Sequence, residues 1–264
     1  MKARKPPLDF ATALPHWAPL REFAHAFNAA STTLPHLEPY LNRVVRLARD
    51  QLPTDKQALI DASQVFMQQE ANHYKLHQQY NETLYRAGYA AIKRFEDKLR
   101  ADYDDFLKNR SLRFNVAYAE GFESLGIIYA EFFFERIDDL LQGADKRVAL
   151  LWQWHLAEEY EHRSVCHDLY QTLFGGYGYR IYGLFYAFFH LGAYGRGATQ
   201  CLLDIDRASM TPAEQKASRR RDLRYQLRLM AFALPRVLKI LSPWYDPAKR
   251  RAPQGSGELL ASLG

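Results

Sequence analysis

Two cysteines, Cys166 and Cys201, are all that this 264-residue chain contains, and neither belongs to a Cys-x-x-Cys pair. A disulfide framework is therefore excluded, and a reducing, cytoplasmic setting is expected. Long apolar runs are missing too. The most apolar stretch, Ile181–Gly195, is bounded by Arg180 and Arg196 and carries His190. A spanning helix needs ~20 apolar residues, so this stretch is expected to be a buried helix. The basic residues of Met1–Lys5 precede no apolar segment, which argues against a secretory signal. Alternating polar and apolar residues of strand type are absent, as are solenoid repeats. No Ser-His-Asp or Cys-His arrangement is evident, and no nucleic-acid-binding motif accompanies the net charge of +5.

What is present is helical. Hydrophobic residues make up 48% and charged residues 25%, an ordinary globular balance, and aromatics reach 14%. The expected architecture is a single all-α domain. Residues 1–30 read as an arm and 31–175 as a four-helix bundle core. Residues 176–242 read as additional C-terminal helices and 243–264 as a flexible tail. The first helix is placed at Pro35–Arg49 and the second after the Thr54-x-x-Gln57 capping box, with a break near Gly88. The third spans Ser111–Gln142, and the fourth runs unbroken from an Asp145 cap to Gly175-Gly176. Thr211-Pro212-Ala213-Glu214 opens a basic amphipathic helix that Pro235 kinks or ends. Its charge reads as a solvated face, with peripheral membrane contact as the alternative.

The fourth helix carries the chemistry. His155, Glu159 and His162 stand at i, i+4 and i+7, in the same angular sector as Val148, Leu151, Trp152 and Leu169. Buried charge is costly unless it is paired or coordinates a metal. Two Glu-x-x-His units, Glu70-x-x-His73 and Glu159-x-x-His162, each put a carboxylate and an imidazole on one helix face. Glu38 on the first helix and Glu120 on the third supply two more inward carboxylates, with Glu123 as the alternative to Glu120. That is the ligand set of a two-metal carboxylate bundle, and its mixed oxygen and nitrogen donors suit iron or manganese. His155 shares the stripe and is the candidate seventh ligand. His77 and Asn81 read as hydrogen-bonding partners of a ligand carboxylate, and Glu158 and Glu161 as outward-facing.

The run Leu34-Pro35…Glu38, the block Gln69-Glu70-Ala71-Asn72-His73 and the block Trp154-His155…Glu158-Glu159…His162-Arg163 resemble a bacterial family described as predicted metal-dependent hydrolases. That resemblance covers most of residues 31–175 and implies a ferritin-like fold. The spacing His155-x3-Glu159-x2-His162 also resembles the di-iron arylamine N-oxygenases, which implies that a further histidine joins one metal. Carried over by position, Glu70 and Glu159 would bridge. Glu38 and His73 would complete one metal, and Glu120, His162 and His155 the other.

Three functions follow as expectations. The leading one is a di-iron enzyme that activates dioxygen to oxidise a small apolar or aromatic substrate, with an electron donor as partner. The alternative is a metal-dependent hydrolase using a metal-bridging hydroxide. Metal storage in a structural bundle is the third. A homodimer is admitted, and nucleic acid is not expected as a partner.

Overall fold

The computed structural model describes residues 1–264, and its fold is all-α, with ten α-helices and no strand. They are α1 (Arg21–Arg49), α2 (Gln57–Leu84), α3 (Lys93–Asn109), α4 (Leu112–Arg136), α5 (Asp138–Leu141), α6 (Lys146–His162), α7 (Val165–Leu173), α8 (Tyr177–Arg207), α9 (Pro212–Ile240) and α10 (Ser256–Ser262). Side-chain caps start three of them: Ser111 for α4, Asp145 for α6, and a complete Thr211–Glu214 capping box for α9. Gly88 sits at φ 96°, a left-handed conformation that glycine alone adopts freely, and it separates α2 from α3 where the sequence placed a break.

α1 begins at Arg21, fourteen residues before the expected start at Pro35, and runs through Pro35 and Pro39. A proline ring removes the N–H that would bond the carbonyl four residues back. Here the carbonyl freed by Pro35 belongs to Ser31, and Asn81 Nδ2 of α2 donates to it at 3.0 Å. The lost helix bond is thus replaced across the α1–α2 contact, so the helix continues. The expected fourth helix is two, because the chain turns at Arg163–Ser164 between α6 and α7. Pro235 lies inside α9 and does not end it.

The apolar core forms two clusters. One takes Phe23 and Phe27 of α1, Ile127–Phe133 of α4 and Leu151–Tyr160 of α6. The other takes Leu37–Val45 of α1, Phe114–Ala119 of α4 and Val165–Tyr170 of α7. On α4, Glu120 and Glu123 fall between the stretches that feed the two clusters, as His162 does on α6, whereas His155 and Glu159 lie among the first cluster's residues. α8 packs closely on α4. A Cβ at Gly121 would lie 2.7 Å from Leu184 Cα, and one at Gly183 would lie 2.5 Å from the Ala117 carbonyl oxygen. Both helices are backbone-to-backbone there, so Gly183→Ala is expected to cost about 1–3 kcal/mol by overpacking. Thermal denaturation should show a lowered midpoint.

Both ends of the chain differ from expectation. Residues 243–264 are not loose: Pro247, Pro253, Ser256 and Leu260 are buried, and Arg250 makes a two-oxygen ion pair with Glu131. The arm is shorter than thirty residues, and its basic start is tied down. Arg4 pairs with Glu158 and Glu161 at 3.2 and 3.1 Å and donates to the Leu260 carbonyl at 3.0 Å. α8 is buried on one side only, with Tyr182, Phe185, Phe188 and Phe189 exposed. No helix is long and apolar enough to cross a membrane.

Candidate two-metal centre

Four helices bring seven acidic and imidazole side chains together in the interior. α1 supplies Glu38, α2 supplies Glu70 and His73, α4 supplies Glu123, and α6 supplies His155, Glu159 and His162. All are at most 3% exposed. Their donor atoms form two groups, each within 4.8 Å: Glu38, His73, His155 and Glu159 in one, and Glu70, Glu123, Glu159 and His162 in the other. Glu159 belongs to both. Its Oε1 lies 3.6 Å from His73 Nδ1, 3.6 Å from His155 Nε2 and 3.5 Å from His162 Nε2. His162 Nε2 is also 3.2 Å from Glu70 Oε1 and 3.5 Å from Glu123 Oε2.

Six of the seven residues expected from the sequence therefore converge, and Glu120 does not join them. Its Oε1 instead takes Arg180 Nη1 of α8 at 3.3 Å and His167 Nδ1 of α7 at 3.1 Å. Glu123, one turn further along α4, occupies the inward position. His155 falls in the group of Glu38 and His73, not in that of His162, and Glu70 falls in one group only.

Whether these residues fit metal ions can be judged from what they lack. Both oxygens of Glu38, Glu70 and Glu123, together with Glu159 Oε1, His73 Nδ1, His155 Nδ1 and His162 Nε2, are buried without a hydrogen-bond partner. Leaving a buried polar atom unpaired costs about 1–3 kcal/mol, more when it is charged. Ten such atoms facing one another make sense if cations satisfy them. Each group offers carboxylate and imidazole donors, a set suited to iron, manganese or zinc.

The charge balance agrees. Burial, followed by the nearby Glu159 carboxylate, pushes Glu38 and Glu70 well above the usual carboxylate range, and the same causes push Glu123 up to about 7. Burial opposes ionisation of Glu159, but His162 and His73 outweigh it and hold this carboxyl well below the ordinary value. Burial likewise pulls His162 down, yet Glu159 and Glu123 raise it to about 10. His155 is lowered to about 3 by burial and by the neighbouring His73. Cations would relieve the carboxylate repulsion that adds to burial in these upward shifts.

Outer partners fix the rings. His73 Nε2 meets Glu158 Oε2 at 3.0 Å, which leaves Nδ1 to face Glu159. Glu158, expected to face outward, is fully buried for this reason, and Arg4 balances its charge. Gln69 Nε2 donates to the Lys2 carbonyl and to Glu161, so its Oε1 is the atom that faces His162 Nδ1 at 3.0 Å. The Nδ1 proton is thereby fixed, and Nε2 is left for the centre. Removing a partner of this kind typically costs 10–100-fold in metal affinity. Glu158→Gln is expected to fall in that range, measured by competition with a chelator of known affinity.

His77 has its tautomer set in the same way. The Ser31 carbonyl can only accept, so Asn81 Nδ2 must face it, and Asn81 Oδ1 then accepts from Ser31 Oγ at 2.6 Å. With its proton committed, Ser31 Oγ accepts from His77 Nδ1 at 2.8 Å. His77 Nε2 is left as a buried, unpartnered acceptor, with its ring 4.9 Å from that of His155. Burial, and then the neighbouring imidazoles of His155 and His73, keep His77 well below its ordinary pKa. The Ser31–Asn81 pair therefore serves His77, where the sequence suggested support of a ligand carboxylate.

A second cluster, His16, His25 and Asp206, has metal-like spacing. It is internally satisfied. Asn28 Nδ2 donates to the Pro15 carbonyl and to His25 Nδ1, so His25 carries its proton on Nε2 and gives it to Asp206 at 3.0 Å. His16 Nε2 and the Tyr89 hydroxyl also reach Asp206. This is a hydrogen-bonded knot joining the arm, α1 and α8.

Residues 2–251 match the model of a family described as "Predicted metal-dependent hydrolase". The chain belongs to this family. No curated protein and no solved structure matches it. The match spans nearly the whole chain, well beyond the helices that carry the ligands, and metal dependence agrees with the two buried donor groups.

Proposed function

We propose that this family member is a two-metal enzyme of the hydrolytic class, acting on a small apolar or aromatic substrate in a ferritin-like helical frame. The observation that carries this reading is the pair of unpartnered donor sets sharing Glu159 Oε1. Glu38, His73, His155 and Glu159 would hold one ion, and Glu70, Glu123, Glu159 and His162 the other. Two divalent ions bound there would supply Lewis acidity and lower the pKa of water.

The protein's own part is to position and to exclude. Glu158 and Gln69 orient His73 and His162, so that one nitrogen of each ring points inward. The surrounding Phe66, Trp152 and Trp154 keep bulk water out, which strengthens each electrostatic interaction inside. His77, neutral and with the Nε2 lone pair free, is a hydrogen-bond acceptor at the edge of the centre beside His155.

A second reading, activation of dioxygen by a di-iron centre, is favoured by the third imidazole, His155, and by the near-complete burial of the ligands. One experiment separates the two. Protein loaded with manganese or zinc should cleave a panel of aryl and acyl esters and amides equally well with and without oxygen. Turnover only with iron, a reductant and oxygen would overturn the hydrolytic reading. Failure to retain any divalent metal would overturn both.

A further inference from the structure

α9 has two apolar faces. Tyr225, Phe232 and Ile240 enter the core, whereas Leu223, Leu227, Met230, Leu234 and Leu238 stand 54–64% exposed. Steps of four, three, four and four residues keep these five in one row along the outer side of the helix. Nothing in the chain covers that row. On α8, Tyr182, Phe185, Phe188 and Phe189 are exposed as well. The Tyr177 hydroxyl donates to the Leu241 carbonyl at 2.7 Å, and Arg180 Nη2 to the Ile240 carbonyl at 2.8 Å, which pins the start of α8 alongside the end of α9. The two exposed rows therefore lie on neighbouring helices. Trp244, in the turn that follows α9, is 85% exposed, while Trp17, Trp152 and Trp154 are buried. An apolar surface of this extent marks an interaction site.

Charge decides what covers it. No Asp or Glu occurs between Tyr177 and Leu203, nor between Leu223 and Tyr245. Lys216, Arg219 and Arg220 extend the outer row of α9 toward its N-terminus and line an open recess with Leu223. Arg221, Arg228 and Arg236 of the same helix are paired with Glu22, Asp139 and Glu131. Lys216, Arg219 and Arg220 have no such partner. A second copy of the chain seated on the apolar rows would bring these cations against stretches that hold no carboxylate to answer them. An anionic bilayer supplies both halves of the match, with phosphates for the arginines and hydrocarbon for the leucine and phenylalanine rows. No helix here is long and apolar enough to cross a membrane, so the contact is one of lying on the surface.

We propose that the outer face of α8 and α9, with Trp244 at its end, docks on an anionic lipid surface. The exposed leucines and phenylalanines enter the boundary between headgroups and acyl chains. Lys216, Arg219 and Arg220 meet headgroup phosphates. Trp244 sits at the interface, where its ring and N–H are both accommodated.

Flotation of the full chain with vesicles tests this, using phosphatidylcholine alone and phosphatidylcholine mixed with phosphatidylglycerol. Binding is expected to the mixed vesicles, with a blue shift of tryptophan fluorescence, because Trp244 is the one exposed tryptophan. Leu227→Glu with Leu234→Glu, and separately Arg219→Glu with Arg220→Glu, should each weaken binding roughly tenfold or more. Unchanged helical circular dichroism and metal content in these variants would show that the fold is intact. Absence of binding to the mixed vesicles at low salt would overturn the proposal, as would equal binding by the leucine variant. A dimer in sedimentation that the leucine variant converts to monomer, without vesicle binding by either, would assign the face to self-association and overturn it too.

Discussion

Glu159→Ala is expected to reduce the metal content from about two ions per chain to none. No other side chain contributes to both donor groups, and its Oε1 lies within 3.6 Å of three imidazole nitrogens that face the centre. Removing it takes a ligand from each ion and leaves the two remaining sets without the carboxylate that joins them. Elemental analysis of the purified variant is the measurement, and unchanged metal content would contradict the site. Glu120→Gln is the internal control. That residue faces Arg180 and His167, so the variant should retain its metal while losing stability. Glu123→Gln should behave like a ligand variant, although it lies only three residues away.

Metal binding is expected to release protons and to strengthen as pH rises. In the metal-free protein Glu38 and Glu70 lie well above the ordinary 4.5, and Glu123 at about 7, mainly through burial. Above pH 4.5 the folded state therefore holds protons that the unfolded chain has released. Stability from these groups falls as pH rises through that window and, for Glu123, on to about 7. His162, raised to about 10 by Glu159 and Glu123 against the pull of burial, contributes in the same direction. Its stabilisation is complete below its ordinary 6.5 and is lost as pH rises through 10. A cation must displace these protons, and each one displaced changes affinity about tenfold per pH unit. Calorimetric titration with a divalent ion should thus give heats that depend on the ionisation enthalpy of the buffer. The gain in thermal midpoint on loading should be larger near pH 8 than near pH 6. Buffer-independent heats would rule out the displacement.

Much of the centre was legible because its ligands repeat at helical spacing. Glu70-x-x-His73 and Glu159-x-x-His162 announce themselves on apolar stripes, and Glu38 lies on the buried face of the second half of α1. Glu120 and Glu123 could not be separated in this way, since residues three apart on a helix share a face. Arg180, sixty residues later on α8, decides between them by claiming Glu120. The partition of the histidines is not legible from the spacing within their own helix. At 1.5 Å rise per residue, His155 and His162 are separated by about 10.5 Å along the helix, a span two imidazoles can close on one ion, so only their neighbours, Glu38 and His73 for one and Glu70 and Glu123 for the other, assign them to different groups. Glu159, between them, is the residue that reaches both. Glu158 lies outside the stripe of its own helix and is buried because His73 of another helix needs a partner, a demand that no single-helix pattern displays. The packed C-terminal segment was illegible for a similar reason, since single anchors such as Arg250 on Glu131 hold it in place.

Arg4 touches Glu158 and also the carbonyl of Leu260. The support of His73 therefore draws on three stretches of chain that leave the ribosome at widely separated times. The helices bearing the ligands can associate once α6 has been made, but the cover over Glu158 closes only after residue 260 has been added. Contacts between such distant positions form late in folding, because loop closure opposes them. During synthesis we expect an interval in which the donor residues are assembled and the cover is still open. Cations are then expected to reach the interior without prising apart the finished fold. Metal supplied while the chain is being made should accordingly load faster than metal offered to the folded protein.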